Sequence, residues 1–169
     1  MRIFVGTLYT IENEIDECIE AIENQTYSNY EHFIFEGLGN KEAHDTLYRT
    51  FMKKTEEFDL MIKVDADMVI EDRSLFEKIV QKFEQNPSLE DLEIAVHDFF
   101  TDSLIRGLHA FRNTVNWGKR NEKIFVDNSP ANPNAHIVDF DDLAPAAEHC
   151  KNPSLYQAFH YGVQRGVKF

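Results

Sequence analysis

Two aspartates stand two positions apart, directly after a mostly apolar segment in the first half of the chain. Asp65 and Asp67 flank Ala66 and follow the run 60–64. Two carboxylates at this spacing leave the end of a strand together, so both can reach one cation once the chain turns. Carboxylate oxygens suit Mg²⁺ or Mn²⁺, which commonly share their coordination shell with substrate phosphates. The motif therefore predicts a metal site that holds a diphosphate, against the alternative of two solvated loop aspartates.

The elements around this motif alternate between strand and helix patterns. Short apolar runs at 3–5, 32–35, 60–64 and 94–96 predict buried strands. Apolar residues recur at helical spacing over 15–22, 43–51 and 75–83, with Asn13 and the pair Ser74 and Glu77 as expected helix caps. This order predicts an α/β fold with a mostly parallel sheet and helices on both faces. Ligands of such sheets bind beyond the carboxyl ends of the strands, where Glu36 and both aspartates lie.

The second half of the chain carries weaker patterns. Residues 107–112 predict a strand that leads into a short helix, and 137–140 predict an edge strand. Two prolines and three asparagines between 128 and 134 predict a loop. A last helix is expected to begin at the capping pair Ser154 and Gln157 and to continue towards the final residue. Because that pattern runs to the end, we expect a short or truncated C-terminal part.

Composition and charge restrict the classes of function. With 169 residues, of which 43% are hydrophobic, the chain can bury the core of one domain. A formal net charge of −13 repels polyanions, which excludes a broad nucleic-acid surface but not a local diphosphate site. Cys18 and Cys150 are too few for a disulfide framework, so we expect a reducing compartment. No signal peptide or membrane-spanning run is present, which predicts a cytoplasmic protein that reaches membranes only through partners.

The segment from Glu17 to Glu31 combines a helix with the turn Asn24-Gln25-Thr26-Tyr27 and the start of a strand. Together with the aspartate pair and the later segment 107–112, it resembles family 2 glycosyltransferases, which have the GT-A fold. The resemblance covers about residues 1–115. It implies one domain, 1–169, with a nucleotide-sugar-binding half over 1–100 and a partial acceptor-side half over 101–169. It also implies metal-dependent transfer of a sugar from a nucleoside diphosphate sugar to a hydroxyl acceptor, in polysaccharide or glycolipid assembly, with Mn²⁺ or Mg²⁺ as cofactor.

The same resemblance implies roles for individual residues. The nucleotide contacts fall on Thr7, Tyr9, Glu36 and Asp65, of which Glu36 reads the base and Asp65 contacts the ribose or the metal. Asp67 binds the metal directly. A late histidine commonly completes the metal site, and His149 is the candidate here, with His160 as the alternative.

An inverting transferase needs a general base to deprotonate the acceptor hydroxyl. The resemblance implies an acidic residue after the aspartate pair, and the candidates are Asp127, Asp141, Asp142 and Glu148. We favour Asp142, against the alternative that 139–142 is a solvated acidic turn. Basic residues that could neutralise phosphate are Arg112, Lys119 and Arg120.

Three other functions are compatible with parts of the pattern. In a haloacid-dehalogenase-like phosphatase Asp65 would be the nucleophile and Asp67 the acid and base, with Asp141 and Asp142 as a late metal pair. Two strands precede the motif, however, and no glycine precedes the late pair. A dinucleotide-binding enzyme lacks support because no G-x-G-x-x-G follows the first strand. The third alternative is a truncated, non-catalytic GT-A domain that binds a nucleotide sugar without turnover.

Overall fold

The computed structural model describes residues 1–118, 130–131 and 133–167 of the chain. Within these residues the chain forms eight strands and four helices. In chain order they are β1 (Ile3–Tyr9), α1 (Ile15–Glu23), β2 (Tyr30–Glu36), α2 (Asn40–Met52), β3 (Leu60–Asp65), β4 (Met68–Val69), α3 (Leu75–Gln85), β5 (Asp91–Asp98), β6 (Ser103–Arg112), β7 (His136–Asp139), β8 (Glu148–His149) and α4 (Leu155–Val167). None of the helices in this described part is long and apolar enough to span a membrane.

All strands join one mixed sheet in the order β2-β1-β3-β6-β5-β8-β4. Strand β7 pairs with residues 91–94 of β5, and β8 pairs with residues 97–98 of the same strand. The strands β2, β1 and β3 are parallel, but β6 runs antiparallel to both β3 and β5. Strand β4 is also antiparallel to β8. The predicted α/β fold is therefore confirmed, whereas the prediction of a mostly parallel sheet is wrong.

A hairpin between β5 and β6 accounts for the difference. Only residues 99–102 connect the two strands, so the chain reverses at once instead of crossing over through a helix. Asp102 adopts the left-handed region there, with a φ of 48°. The predicted strand at 107–112 is the second half of β6, and the short helix expected after it is replaced by a turn at 113–114.

Gly107 allows β6 to pass close to β5. The register between the two strands shifts between Ile94 and Ala95, opposite this glycine. A Cβ atom at position 107 would lie 2.4 Å from Cγ2 of Val96, a separation that no side chain tolerates. Glycine at a bulge of this kind permits the approach of the neighbouring strand.

Helices cover both faces of the sheet, as predicted. Alternate side chains of β1 and β3 enter two separate hydrophobic cores. One core contains Ile3 and Val5 of β1 with residues of α1 and α3. The other contains Phe4 with residues of α2 and Trp117. The sheet therefore forms a central layer whose strand ends are held in place from both sides.

The Asn24-Gln25-Thr26-Tyr27 turn links α1 to α3. The side-chain oxygen of Gln25 accepts a hydrogen bond from the backbone N of Phe76 at 3.1 Å. Its amide nitrogen donates to the carbonyl oxygens of Ala21 at 3.3 Å and Asp72 at 3.0 Å. The motif on which the family resemblance rests therefore has a structural role in this chain.

The capping predictions have mixed outcomes. The predicted box at the start of α4 is confirmed, because the backbone N of Ser154 donates to Gln157 Oε1 at 2.8 Å and the backbone N of Gln157 donates to Ser154 Oγ at 3.1 Å. The predicted cap at Asn13 is wrong, because Glu14 holds the N-cap position of α1. Ser74 holds the N-cap position of α3 as predicted, but its side chain makes no capping hydrogen bond. Ser74 Oγ instead donates to Asp72 Oδ1 at 2.7 Å.

Candidate metal centre

The aspartate motif occupies a turn that backbone hydrogen bonds connect to the neighbouring segments on two sides. The backbone N of Ala66 donates to the carbonyl oxygen of Leu8, at the end of β1, at 3.2 Å. On the other side the backbone N of Cys150 donates to the carbonyl oxygen of Asp67 at 2.8 Å. These bonds place Asp67 beside the residues that follow the short strand β8.

Three potential ligand atoms meet at this turn. His149 Nε2 lies 3.4 Å from Asp67 Oδ2, the Cys150 thiol donates to the same oxygen at 3.2 Å, and Cys150 Sγ is 3.6 Å from His149 Nε2. In the described part of the chain, this is the group of three such atoms that lie within 4.8 Å of one another. The other oxygen, Asp67 Oδ1, is buried and has no hydrogen-bond partner among the described residues. Because an unpaired buried carboxylate oxygen is costly, the donor set fits a divalent cation.

Asp98 orients the imidazole of His149. The ring Nδ1 donates to Asp98 Oδ1 at 2.7 Å, which directs Nε2 towards Asp67. Asp98 is fully buried, and its Oδ2 accepts from the backbone N and the hydroxyl of Thr101 at 3.0 and 2.6 Å and from the Tyr161 hydroxyl at 2.8 Å. A carboxylate in this position is the usual support of a metal-binding histidine.

Sequence reasoning did not identify Asp98, although a signal for it was present. The residue ends β5, directly after His97 and two positions beyond the predicted strand 94–96. The same rule that selected Glu36 and Asp65, a carboxylate at the carboxyl end of a buried strand, applies to it.

The electrostatics of the group are those of a histidine between two carboxylates. Burial alone would lower the pKa of His149, but hydrogen bonds and charge from Asp67 and Asp98 outweigh it and raise the pKa to about 9. Burial opposes ionisation of Asp67 as well, and the hydrogen bond and charge of His149 still hold its pKa below the usual value. Burial and the Asp67 charge raise the pKa of the Cys150 thiol above its ordinary range. The metal-free group thus consists of an imidazolium, two carboxylates and a neutral thiol.

Asp65 has a different partner from Asp67. Its Oδ2 accepts a hydrogen bond from Lys63 Nζ at 2.7 Å, and Lys63 is only 3% exposed. The two residues alternate with Val64 along β3, so their side chains emerge on the same face of the sheet. The structure therefore brings together Asp67 and His149 of the predicted metal ligands and does not include Asp65 in their group.

The predicted nucleotide-binding residues lie on neighbouring strand ends. Tyr9 stands opposite Glu36 in the parallel register of β1 and β2, and Leu8 stands opposite Asp65. Glu36 is exposed. Thr7, by contrast, is fully buried, and its hydroxyl lies 2.9 Å from Nε2 of His32. Thr7 therefore has no exposed surface for direct contact with a ligand.

The predicted base candidates that the structure describes have other partners. Asp142 Oδ2 accepts from Lys82 Nζ of α3 at 2.7 Å, and this contact lowers the pKa of Asp142. The backbone N of Asp141 donates to Asp139 Oδ1 at 3.2 Å. Glu148 Oε2 lies 2.9 Å from His97 Nδ1. None of these contacts joins Asp142 to the three-ligand group, and its role as a base stays a prediction.

Several other candidates are placed outside the group or outside the described residues. Arg112 donates from Nε to the carbonyl oxygen of Leu89 at 2.8 Å. His160, the alternative metal ligand, stacks its ring on Tyr156 at 5.9 Å. The candidates Lys119, Arg120 and Asp127 lie outside the described residues.

Solved structures are similar to this chain, although no protein-family model matches it and no curated protein matches it in sequence. A197 from STIV is 11% identical with a TM-score of 0.50, over 66% of this chain and 65% of that chain. The mannosyltransferase PcManGT from Pyrobaculum calidifontis, solved with GDP-Man and Mn²⁺, is 15% identical with a TM-score of 0.47, over 66% of this chain and 44% of that one. A glycosyltransferase involved in glycosylation of the major capsid of PBCV-1 is 13% identical with a TM-score of 0.44, over 66% and 60%. The chain spans less than two thirds of each of these structures, and its likeness to A197 shows a shared fold.

Proposed function

We propose that this chain is a GT-A glycosyltransferase of the family 2 kind, which binds a nucleoside diphosphate sugar through a divalent cation and transfers the sugar to a hydroxyl acceptor. The observation that carries the proposal is the arrangement of Asp98, His149 and Asp67. Asp98 fixes one ring nitrogen of His149, the other faces Asp67, and Asp67 Oδ1 has no described hydrogen-bond partner. This combination of an oriented imidazole with a carboxylate that keeps one buried oxygen without a described partner supports cation binding.

The donor would bind across the carboxyl ends of β1, β2 and β3. Asp67 and His149 would hold a Mn²⁺ or Mg²⁺ ion, which when bound neutralises the diphosphate and stabilises it as a leaving group. Tyr9 and Glu36 stand side by side in register and would receive the nucleotide, with Asp65 next to them. Thr7 would act by positioning the end of β1, because it is buried.

In the reaction the acceptor oxygen forms a bond to the anomeric carbon of the sugar while the bond from that carbon to the diphosphate oxygen breaks. The acceptor proton passes to a carboxylate, for which Asp142 is the proposed base. The acceptor would be the hydroxyl of a sugar or a lipid-linked sugar, in polysaccharide or glycolipid assembly. An Asp142→Asn variant tests the base: kcat should fall sharply while donor binding is unchanged.

Calorimetric titration of the full chain with UDP, GDP, CDP and TDP, each with and without Mn²⁺, tests the proposed function. We expect one nucleotide to bind tightly, and only when Mn²⁺ is present. The Asp67→Asn variant should lose this binding, since it removes the charge beside His149. The matched control is Asp45→Asn on α2, where the carboxylate pairs with Lys41 at the surface.

Each other outcome of the titration has a defined meaning. Normal metal-dependent binding to the Asp67→Asn variant would contradict the proposed site. Failure of all four nucleotides to bind the unaltered chain with Mn²⁺ would contradict the transferase and leave a phosphatase or a non-catalytic remnant as the better explanation. Tight binding without any sugar transfer to hydroxyl acceptors would identify a non-catalytic nucleotide-sugar-binding domain.

A further inference from the structure

We infer that Cys150 is a third protein ligand of the metal centre and that its sulfur makes the centre select thiophilic ions such as Zn²⁺ and Co²⁺ over Mg²⁺. The inference rests on the proposed function, because it concerns the same site. It changes the expected donor set from carboxylates and an imidazole to a mixed set with one sulfur.

The separations of the three atoms carry this inference. Around one tetrahedral ion, bonds of about 2.3 Å to sulfur and about 2.0–2.1 Å to nitrogen and oxygen place N and O about 3.4 Å apart and S about 3.5–3.6 Å from each. The separations in the structure are 3.4 Å from His149 Nε2 to Asp67 Oδ2, 3.6 Å from Cys150 Sγ to His149 Nε2 and 3.2 Å from Cys150 Sγ to Asp67 Oδ2. The three atoms therefore already occupy one face of a coordination tetrahedron within a few tenths of an ångström.

The buried oxygen of Asp67 provides a second, independent observation. Oδ2 accepts a hydrogen bond from the Cys150 thiol and faces His149. Oδ1 is shielded from solvent and has no hydrogen-bond partner among the described residues. Because this second oxygen has no hydrogen-bond partner in the described fold, the carboxylate can coordinate a cation without losing an existing contact.

The backbone of Cys150 fixes its sulfur beside Asp67, and the sulfur of Cys18 does not belong to this group. Cys150 has a φ of 53°, in the left-handed region, and its backbone N donates to the carbonyl oxygen of Asp67 at 2.8 Å. Cys18 is also buried, but its Sγ lies 3.7 Å from the carbonyl oxygen of Asp65 and outside the three-ligand group. Cys18 is therefore a matched control in the same protein.

The donor set determines which ions are favoured. Mg²⁺ prefers oxygen ligands in an octahedral shell, whereas a thiolate favours softer ions. Binding would replace the S–H bond of Cys150 by a bond from sulfur to the metal and the Nε2–H bond of His149 by a bond from nitrogen to the metal, and each exchange releases one proton to solvent. Three protein ligands leave coordination open for a substrate oxygen, as catalytic sites of this type require.

Titration of the full chain with Co²⁺, followed by absorption, tests the inference without an activity assay. We expect a thiolate-to-cobalt charge-transfer band in the near ultraviolet, together with the strong visible bands of a four-coordinate ion. The Cys150→Ser variant should lose the ultraviolet band, and Cys18→Ser should keep it. Competition should show that Cys150→Ser lowers Zn²⁺ affinity by about 100-fold or more while Mg²⁺ affinity changes by less than about 3-fold.

The outcomes separate this inference from the proposed function. Binding of Co²⁺ without a charge-transfer band would overturn the role of Cys150 and leave the Asp67 and His149 site intact. Retention of the charge-transfer band in Cys150→Ser would also overturn the role of Cys150 as a ligand. Failure of the unaltered chain to bind Co²⁺ or Mn²⁺ would overturn the proposed function as well. Circular dichroism of both cysteine variants establishes that they are folded, and Cys150→Ala replaces the serine variant if that variant unfolds.

Discussion

Asp98 Oδ1 lies 2.7 Å from Nδ1 of His149, and this hydrogen bond sets the direction in which the opposite ring nitrogen points. The carboxylate ends one central strand of the sheet and is itself saturated by a backbone N–H and two hydroxyl groups. The site is thus supported by a residue that would not contact the metal.

We predict that Asp98→Asn lowers the affinity of the centre for Mn²⁺ or Zn²⁺ by about 10–100-fold. The amide cannot accept from all the donors that surround it, so the ring of His149 loses its fixed orientation. Isothermal titration calorimetry with the metal alone measures the effect.

The control for this variant lies in the same hairpin. Asp102 is exposed, lies 3.1 Å from the ring of His97 and has a positive φ that asparagine tolerates well. Asp102→Asn should leave metal affinity unchanged within about 2-fold. Unaltered affinity in folded Asp98→Asn would refute the positioning role.

The raised pKa of His149 predicts how stability depends on pH in the metal-free protein. Its pKa rises from an ordinary 6.5 to about 9 on folding. The stabilisation is therefore complete below about pH 6.5 and is lost as the pH rises through about 9. Urea unfolding at a series of pH values should show the free energy of unfolding falling by up to about 3 kcal/mol over that interval.

Two comparisons test this assignment. The His149→Gln variant should lose most of the slope, and His160→Gln, a change on α4, should retain it. Metal affinity of the unaltered chain should rise over the same pH range, because the ring must release its proton to bind an ion. A slope that is equal in His149→Gln and in the unaltered chain would assign it to other groups.

The first half of the fold was predictable because its signals are local. The apolar runs at 3–5, 32–35 and 60–64 lie within β1, β2 and β3, and the helical spacing of the segments between them corresponds to α1 and α2. The placement of Asp67 at a strand end follows from the same patterns. Each of these features can be predicted from residues that are close together in the sequence.

The rest depends on pairing between distant segments. The antiparallel insertion of β6 between β3 and β5 follows from a tight hairpin that contains neither glycine nor proline, so only the weaker turn residue Asp102 marks it. Strand β8 has two residues, too few for a periodic pattern. Its pairing with β5 is what brings His149 to Asp98, and its neighbour Cys150 thereby reaches Asp67.

The contacts of Gln25 predict a structural role that is separate from ligand binding. Replacement by alanine leaves the backbone N of Phe76 and the carbonyl oxygen of Asp72 without this partner. We expect Gln25→Ala to lower the free energy of unfolding by about 2–3 kcal/mol, measured by chemical denaturation. Metal and nucleotide affinity should not change.

Gln81, an exposed residue of α3, provides the control for this variant. Gln81→Ala should alter stability by less than about 0.5 kcal/mol. If Gln25→Ala left stability unchanged but weakened nucleotide binding, the turn would instead belong to the binding site.

The two aspartates of the motif should respond differently to removal of their charge. Asp67 lies 3.4 Å from Nε2 of His149, whereas Asp65 is paired with buried Lys63 at 2.7 Å. We therefore predict that Asp67→Asn weakens Mn²⁺ binding by about 100-fold or more and Asp65→Asn by less than about 5-fold, measured by electron paramagnetic resonance of free Mn²⁺.

Asp65→Asn should weaken nucleotide binding at saturating Mn²⁺, because that residue is proposed to face the ribose. Equal losses of Mn²⁺ affinity in the two variants would mean that both carboxylates ligate the ion, which requires Asp65 to leave Lys63 when the metal binds.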